Sequence, residues 1–213
     1  MIDYHIIETG SQGNSVIVGK NILVDVGVSY KAVQPYLDDI KLILLTHEHS
    51  DHFKISTIRH IAMEKPLILF GCGDFMVKHL VDADVPTSRI YPMWENMLYT
   101  FKPLCQVIPV GLAHDVPNFG YKLFFNGGKA FYATDTATLS GVQARSYDLY
   151  LVEANYEDSE LNARLDAKME AGQFAYEWRV KNSHLSKKQT DDWLYRNMGP
   201  QSEYVYLHCH KDR

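Results

Sequence analysis

Cysteine is scarce here: Cys72, Cys105 and Cys209 are the only three in 213 residues. They are isolated, and no Cys-x-x-Cys occurs. That excludes a disulfide framework and a thiolate zinc site of the usual spacing. A reducing, cytoplasmic setting fits best. No apolar run approaches the ~20 residues needed to cross a bilayer, so no membrane association is expected. The opening Met1-Ile2-Asp3-Tyr4-His5 lacks a basic n-region and an apolar h-region, so no signal peptide is expected. A basic surplus is also lacking, since the formal net charge is −5. Long duplex nucleic acid usually demands a positive footprint. A nucleotide, or a strand end held by metal ions, stays open. There is no repeat in the solenoid range and no low-complexity linker.

What is present suits a globular α/β protein. Hydrophobic residues make up 46% and charged residues 22%, enough to bury a full core. One domain over 1–213 is expected from this length. Residues 2–9 and 15–26 read as strands, with Gly19-Lys20 as a hairpin signal. Between them, Gly10-Ser11-Gln12-Gly13-Asn14 is either a plain turn or a loop that also faces substrate. A short helix is expected from Ser29 to Leu37. Ile55, Ile58, Ile61 and Ala62 predict a helix over 54–65, ended by Pro66. Strand 66–70 and helix 73–81 follow, and 89–101 reads as strand and loop. Met93, Trp94 and Met97 read as packing residues, and Cys72 and His79 as core or surface residues. Strands are then expected over 106–113, 121–125 and 129–133, with Asn126-Gly127-Gly128 as a hairpin turn. Pro109 suggests an edge or a bulge. Asp148 to Val152 is another strand. Leu161, Leu165, Met169 and Phe174 predict one or two helices over 157–180. Ser186 with Gln189 forms a capping box that starts a helix through about Met198. Gly199-Pro200 stops it, and Glu203 to Leu207 is the last strand.

The densest chemistry is Thr46-His47-Glu48-His49-Ser50-Asp51-His52, directly after the apolar run Lys41 to Leu45. Histidine nitrogens and carboxylate oxygens suit zinc, and also manganese or iron. His47, His49, Asp51 and His52 can face one point from a single short loop, with Glu48 alternating away. Three further strands also end in a potential ligand: His114, Asp135 and His208. If the strands share one sandwich, their ends can converge on one edge. His210 is the rival to His208, which directly follows the apolar strand.

The order Gly-Ser-x-Gly-Asn, His-x-His-x-Asp-His, a lone His, an Asp after a strand, then a final His resembles the metallo-β-lactamase fold superfamily. Glu153-Ala154-Asn155 and Ser183-His184-Leu185-Ser186 look closest to its YycJ/WalJ-like group, related to the tRNase Z and β-CASP nucleases. The resemblance covers almost the whole chain. No second, β-CASP-type domain is present, and the chain stops at Arg213 where many relatives continue.

The resemblance implies an αββα four-layer sandwich and a dinuclear metal centre. His47, His49 and His114 would hold one divalent ion, Asp51, His52 and His208 the other, and Asp135 would bridge them. Zinc is the first candidate, with manganese or iron as alternatives. The implied activity is hydrolysis of a phosphodiester by a bridging hydroxide, with Asp51 orienting it and accepting its proton. His184 would stand over the scissile phosphate, and Glu153 would fix its tautomer. Lys187 and Lys188 either meet a phosphate at a helix N-terminus or form a solvated face. The expected substrate is single-stranded nucleic acid, a strand end, or a nucleotide, a cyclic one included. The alternatives are hydrolysis of a thioester, lactone or β-lactam, and metal binding without catalysis. Oligomeric state is left open, a homodimer included.

Overall fold

A computed structural model describes residues 2–173 and 177–209 of the protein. His210 and Phe174, both weighed in the sequence, lie outside the described residues. Alternating apolar residues drive the architecture, because each strand has two faces to cover. Strands β1 (Tyr4–Glu8), β2 (Ser15–Val18), β3 (Ile22–Val24), β4 (Leu42–Leu45), β5 (Leu69–Gly73) and β6 (Ile90–Met93) form one sheet in that order. Strands β7 (Tyr99–Phe101), β8 (Cys105–Leu112), β9 (Asn118–Phe125), β10 (Gly128–Ala133), β11 (Leu149–Glu153) and β12 (Glu203–Leu207) form the second, ordered from β12 to β7. Leu42 and Leu44 face Tyr121, Leu123, Tyr132 and Leu151 in a core shared by both sheets. Their neighbours Ile43 and Leu45 point the other way, onto α1 (Tyr30–Val33), α2 (Ile55–Glu64) and α3 (Val77–Asp82). On the far side, Phe131, Tyr150 and Val152 pack with Trp193 and Leu194 of α6 (Lys187–Asn197). Helices α4 (Asp158–Glu170) and α5 (Glu177–Ser183) lie between β11 and α6 in the chain. The layers are therefore helix, sheet, sheet, helix, the αββα order expected. Each fully buried aliphatic side chain stabilises by roughly 1.5–3 kcal/mol, so the shared core dominates over surface ion pairs.

Strand direction decides where the site forms. β3, β4, β5 and β6 run parallel, so β3 and β4 end at the same edge. In the second sheet β10, β11 and β12 run parallel, and two antiparallel pairings give β8 the same direction. The segments after β4, β8, β10, β11 and β12 therefore leave from corresponding ends of their sheets. The Tyr121 hydroxyl donates to the Leu45 carbonyl, and Phe119 N donates to the Thr46 carbonyl at 3.2 Å. Those bonds close the two sheets together beside the His cluster.

Several local expectations need correction. The strand placed at 66–70 starts only at Leu69, where pairing with Leu42 begins; Pro66 and Leu67 precede it, exposed. The stretch from 73 opens as a short 3-10 turn, Asp74–Met76, before α3. Ile55 is 43% exposed, since it stands at the first turn of α2 beyond the packed stripe. Met93 is buried, but Trp94 and Met97 are more than half exposed in the turn that links the sheets. Met169 is likewise exposed near the end of α4, whose buried residues are Leu161 and Leu165. Pro109 sits where β8 has run past its pairing with β7, which ends at Val107, so its missing N–H breaks no ladder. The capping box at α6 forms in both halves: Gln189 N donates to Ser186 Oγ, and Ser186 N donates to Gln189 Oε1.

Candidate metal centre

The His-rich loop is held from below by a residue the motif does not contain. Asp25 follows β3 and is fully buried. Its Oδ1 accepts from Thr46 N at 2.8 Å, and both carboxylate oxygens contact Thr46 Oγ1. Its Oδ2 accepts from His52 Nδ1 at 2.7 Å. The loop then closes on itself, with His52 N and Phe53 N both donating to the His49 carbonyl. Gly27 makes the seat: a Cβ there would stand 1.6 Å from the Asp51 carbonyl oxygen. Asn14, from the loop after β1, anchors the other side. Its Nδ2 donates to the Asp51 carbonyl at 3.3 Å and stands 2.8 Å from His52 Nε2. Sequence reading passed over Asp25, although an acid inside the apolar run Ile22-Leu23-Val24-Asp25-Val26 signals a buried partner.

Two groups of donor atoms share no residue, each with its atoms within 4.8 Å of one another: His47, His49 and His114; and Asp51, His52 and His208. Asp135 joins two further overlapping sets, one with His47 and His52 and one with Glu153, His184 and His208. His49 Nδ1 lies 3.1 Å from His47 Nε2 and 3.4 Å from His114 Nε2. Nitrogens bound to one tetrahedral zinc stand roughly 3.3–3.4 Å apart, so this triangle has the dimensions of an ion site. In the second group, Asp51 Oδ2 lies 3.7 Å from both His52 Nε2 and His208 Nε2. Asp135 stands between the groups. Its Oδ2 is 3.0 Å from His52 Nε2, and its Oδ1 is 3.5 Å from His208 Nε2 and 4.0 Å from His114 Nε2. Asp135 Oδ2 and His208 Nε2 are buried without a hydrogen bond among the described residues. Buried polar atoms are almost always satisfied, so these orphans mark where a cation fits. The donor set and the orphaned atoms both suit divalent ions.

The outward nitrogens are held in turn, as metal-ligating histidines require. His114 Nδ1 donates to the Ser183 carbonyl at 3.2 Å, and His47 Nδ1 contacts Thr46 Oγ1 at 3.0 Å. His208 Nδ1 lies 2.8 Å from the donor Nδ2 of Asn155 and 3.5 Å from Glu153 Oε1, the acceptor beside it. A carbonyl or carboxylate can only accept, so His52 and His114 carry their hydrogen on Nδ1 and turn Nε2 inward. Burial pushes the pKa of His47 far down, and that of His114 down too. Burial opposes charge on His52, yet Asp135 and Asp25 outweigh it and raise its pKa to about 10. The carboxylates thus draw positive charge to this point. Asp135 and His208 themselves adopt left-handed backbone, φ 58° and 52°, and so does Asp25 at 60°. Such conformations are uncommon for side-chain-bearing residues and collect at functional sites.

His184 and Glu153 form a pair beside this cluster. His184 Nδ1 contacts Glu153 Oε1 at 2.5 Å, and the His184 ring stacks on His208 at 5.1 Å between centroids. Glu153 is fully buried; its Oε2 accepts from Thr136 N at 2.9 Å. Burial pushes the Glu153 carboxyl up, but hydrogen bonds from His184 and His208 outweigh it and bring it below its ordinary value. Glu48 turns away, pairing with His79 at 2.7 Å. Lys187 and Lys188 pair with Glu157 and Asp192 on an exposed face, which favours the solvated-face reading.

Two facing sheets with a His/Asp cluster at one edge define a protein of the metallo-β-lactamase fold. The chain belongs to the beta-lactamase superfamily domain family, which residues 20–208 match. It is 28% identical over 229 residues to Exodeoxyribonuclease WalJ of Streptococcus pneumoniae serotype 2, covering 96% of this chain and 80% of that one. It is also 28% identical over 201 residues to Exodeoxyribonuclease YycJ of Bacillus anthracis, covering 87% and 71%. Among solved structures, the metallo-β-lactamase fold protein YhfI of Bacillus subtilis superposes with a TM-score of 0.74 at 14% identity, covering 98% of this chain and 86% of that one. Human tRNase Z, short form, superposes with a TM-score of 0.68 at 16% identity, covering 98% and 93%.

Proposed function

We propose that this protein is a dinuclear metal-dependent phosphodiesterase acting on nucleic acid strands or their ends, in the manner of an exodeoxyribonuclease. His47, His49 and His114 would hold one ion, Asp51, His52 and His208 the other, with Asp135 shared. Zinc is the first candidate, and the scarcity of cysteine fits a cytoplasmic setting. When bound, the ions supply charge stabilisation for the phosphate oxygens and lower the pKa of water. The observation that carries the choice of a phosphodiester is the His184–Glu153 pair. Acyl hydrolysis at two metals needs no such partner. Glu153 Oε1 receives the Nδ1 hydrogen of His184 and stabilises its imidazolium form, whose Nε2–H would pass its proton to the leaving oxygen and leave the neutral ring. Asp51, part-exposed at the mouth of the cluster, is the carboxylate available to take the proton of the attacking water. The names of the WalJ and YycJ relatives support DNA over RNA as the first substrate to try.

The test is a metal-loaded assay across single-stranded DNA, RNA and cyclic nucleotides, with bis-p-nitrophenyl phosphate, nitrocefin and a thioester alongside. Turnover of phosphodiesters and not of the acyl substrates is expected. Thioester or nitrocefin turnover without phosphodiester turnover would sink the reading.

A further inference from the structure

Asp115 belongs to neither donor group, yet it touches both halves of the machinery. Its Oδ1 lies 3.4 Å from His49 Nε2 and 3.2 Å from His114 Nε2. Its Oδ2 accepts from Arg179 Nη2 at 2.7 Å. Arg179 sits on α5, and the last residue of that helix, Ser183, accepts from His114 Nδ1 through its carbonyl. His184 follows immediately. Two links, one ionic and one hydrogen bond, thus join α5 to the His47/His49/His114 triangle.

His49 differs from the other two members of that triangle. It turns Nδ1 inward, and its outer Nε2 faces part-exposed space rather than a buried partner. A neutral imidazole can carry its hydrogen on either nitrogen, and only the unprotonated one can bind an ion. A carboxylate beside Nε2 favours the hydrogen there and leaves Nδ1 free. Asp115 is that carboxylate; His114 Nε2 also lies 3.2 Å from its Oδ1 but stays unprotonated, because the Ser183 carbonyl takes the hydrogen of that ring on Nδ1.

We propose that Asp115 is a positioning residue for this centre: it orients the His49 ring and, through Arg179, seats α5 so that His184 stands over the site. The proposal rests on the two-metal phosphodiesterase reading. Its consequence is a reciprocal linkage. An ion held by the triangle fixes Asp115 and so tightens the docking of α5; docking of α5 tightens the hold on the ion. The Asp115 and Arg179 side chains are 35% and 63% exposed, so the ion pair itself adds little stability. What it supplies is orientation, and both residues can be replaced without opening the core.

The experiment compares the wild type with Asp115→Ala, Asp115→Asn and Arg179→Gln, using zinc and manganese ions alone as probes. Three readouts are taken: ion affinity by competition with a chromophoric chelator, ring 15N shifts of His49, and hydrogen exchange over residues 177–183. Asp115→Ala is expected to weaken one of two ion sites by about 10–100-fold and to erase the Nε2–H preference of His49. Asp115→Asn keeps an acceptor oxygen and is expected to restore most of both. Arg179→Gln is expected to keep both ions bound while abolishing the ion-induced slowing of exchange in α5. Its kcat on bis-p-nitrophenyl phosphate should fall with little change in KM. If wild type binds two ions and Asp115→Ala binds them equally well, with His49 unchanged, the positioning role is wrong and the two-metal reading stands. If wild type binds no ion at the triangle, the two-metal reading itself fails.

Discussion

Replacing Asp135 and His184 tests separately which residue holds metal and which uses it. Asp135 lies among His52, His114 and His208, with an orphaned buried oxygen. Asp135→Ala is expected to lose at least one ion, as measured by elemental analysis; full occupancy would count against a shared carboxylate. His184 lies outside the two triads above; it stands in a donor group with Asp135, Glu153 and His208, and is tied to Glu153. His184→Ala is expected to keep both ions and lose about 10²–10⁴-fold in phosphodiester turnover, the usual contribution of a general acid. Loss of an ion in that variant would make His184 a ligand. Asp25 belongs to the same scale although no motif contains it. Asp25→Ala removes the acceptor of His52 Nδ1 and Thr46 N, so it should weaken ion binding without deleting a ligand. Titration with zinc against a chelator checks it, and wild-type affinity would show that His52 needs no such support.

Elements differ in how far their sequences spell them out. The α6 helix is announced by its first residues, because a capping box is a local device in which Ser186 and Gln189 satisfy each other's backbone. Ser186→Ala is expected to destabilise the fold by about 0.5–2 kcal/mol in urea unfolding, since the cap is buried and its loss leaves a donor unpaired. An unchanged midpoint would mean that packing alone holds α6. The β4 strand is equally legible, as Leu42 to Leu45 has no helical period and is buried on both faces. Less local elements are not legible in this way. β5 starts three residues after Pro66 because its partner strand β4 decides where pairing begins. The exposure of Trp94 and Met97 depends on where the chain crosses between sheets, which no local pattern reports.

For the whole molecule, the centre joins segments from both sheets, so ion binding and folding are coupled. Divalent ions at about 100 times their dissociation constant should add about 2.7 kcal/mol per site. In a protein of this size that corresponds to a rise in Tm of roughly 5–10 °C per site, reversed by chelator. A Tm indifferent to ions and chelator would argue against a cross-sheet site. By itself the sequence determined the strand-and-helix alternation, the His-x-His-x-Asp-His loop, and the candidates His114, Asp135 and His208. Those features are local: periodicity, caps, turns, and ligand types following apolar runs. Only the tertiary structure decided that Asp25, Asn14 and Asp115 stand against that loop, the first two at its base and the third beside His49 and Arg179. The reason is physical. A ligand's outward nitrogen takes whatever acceptor the fold carries to it, and that acceptor sits 27 residues from His52 in one case and 66 from His49 in the other.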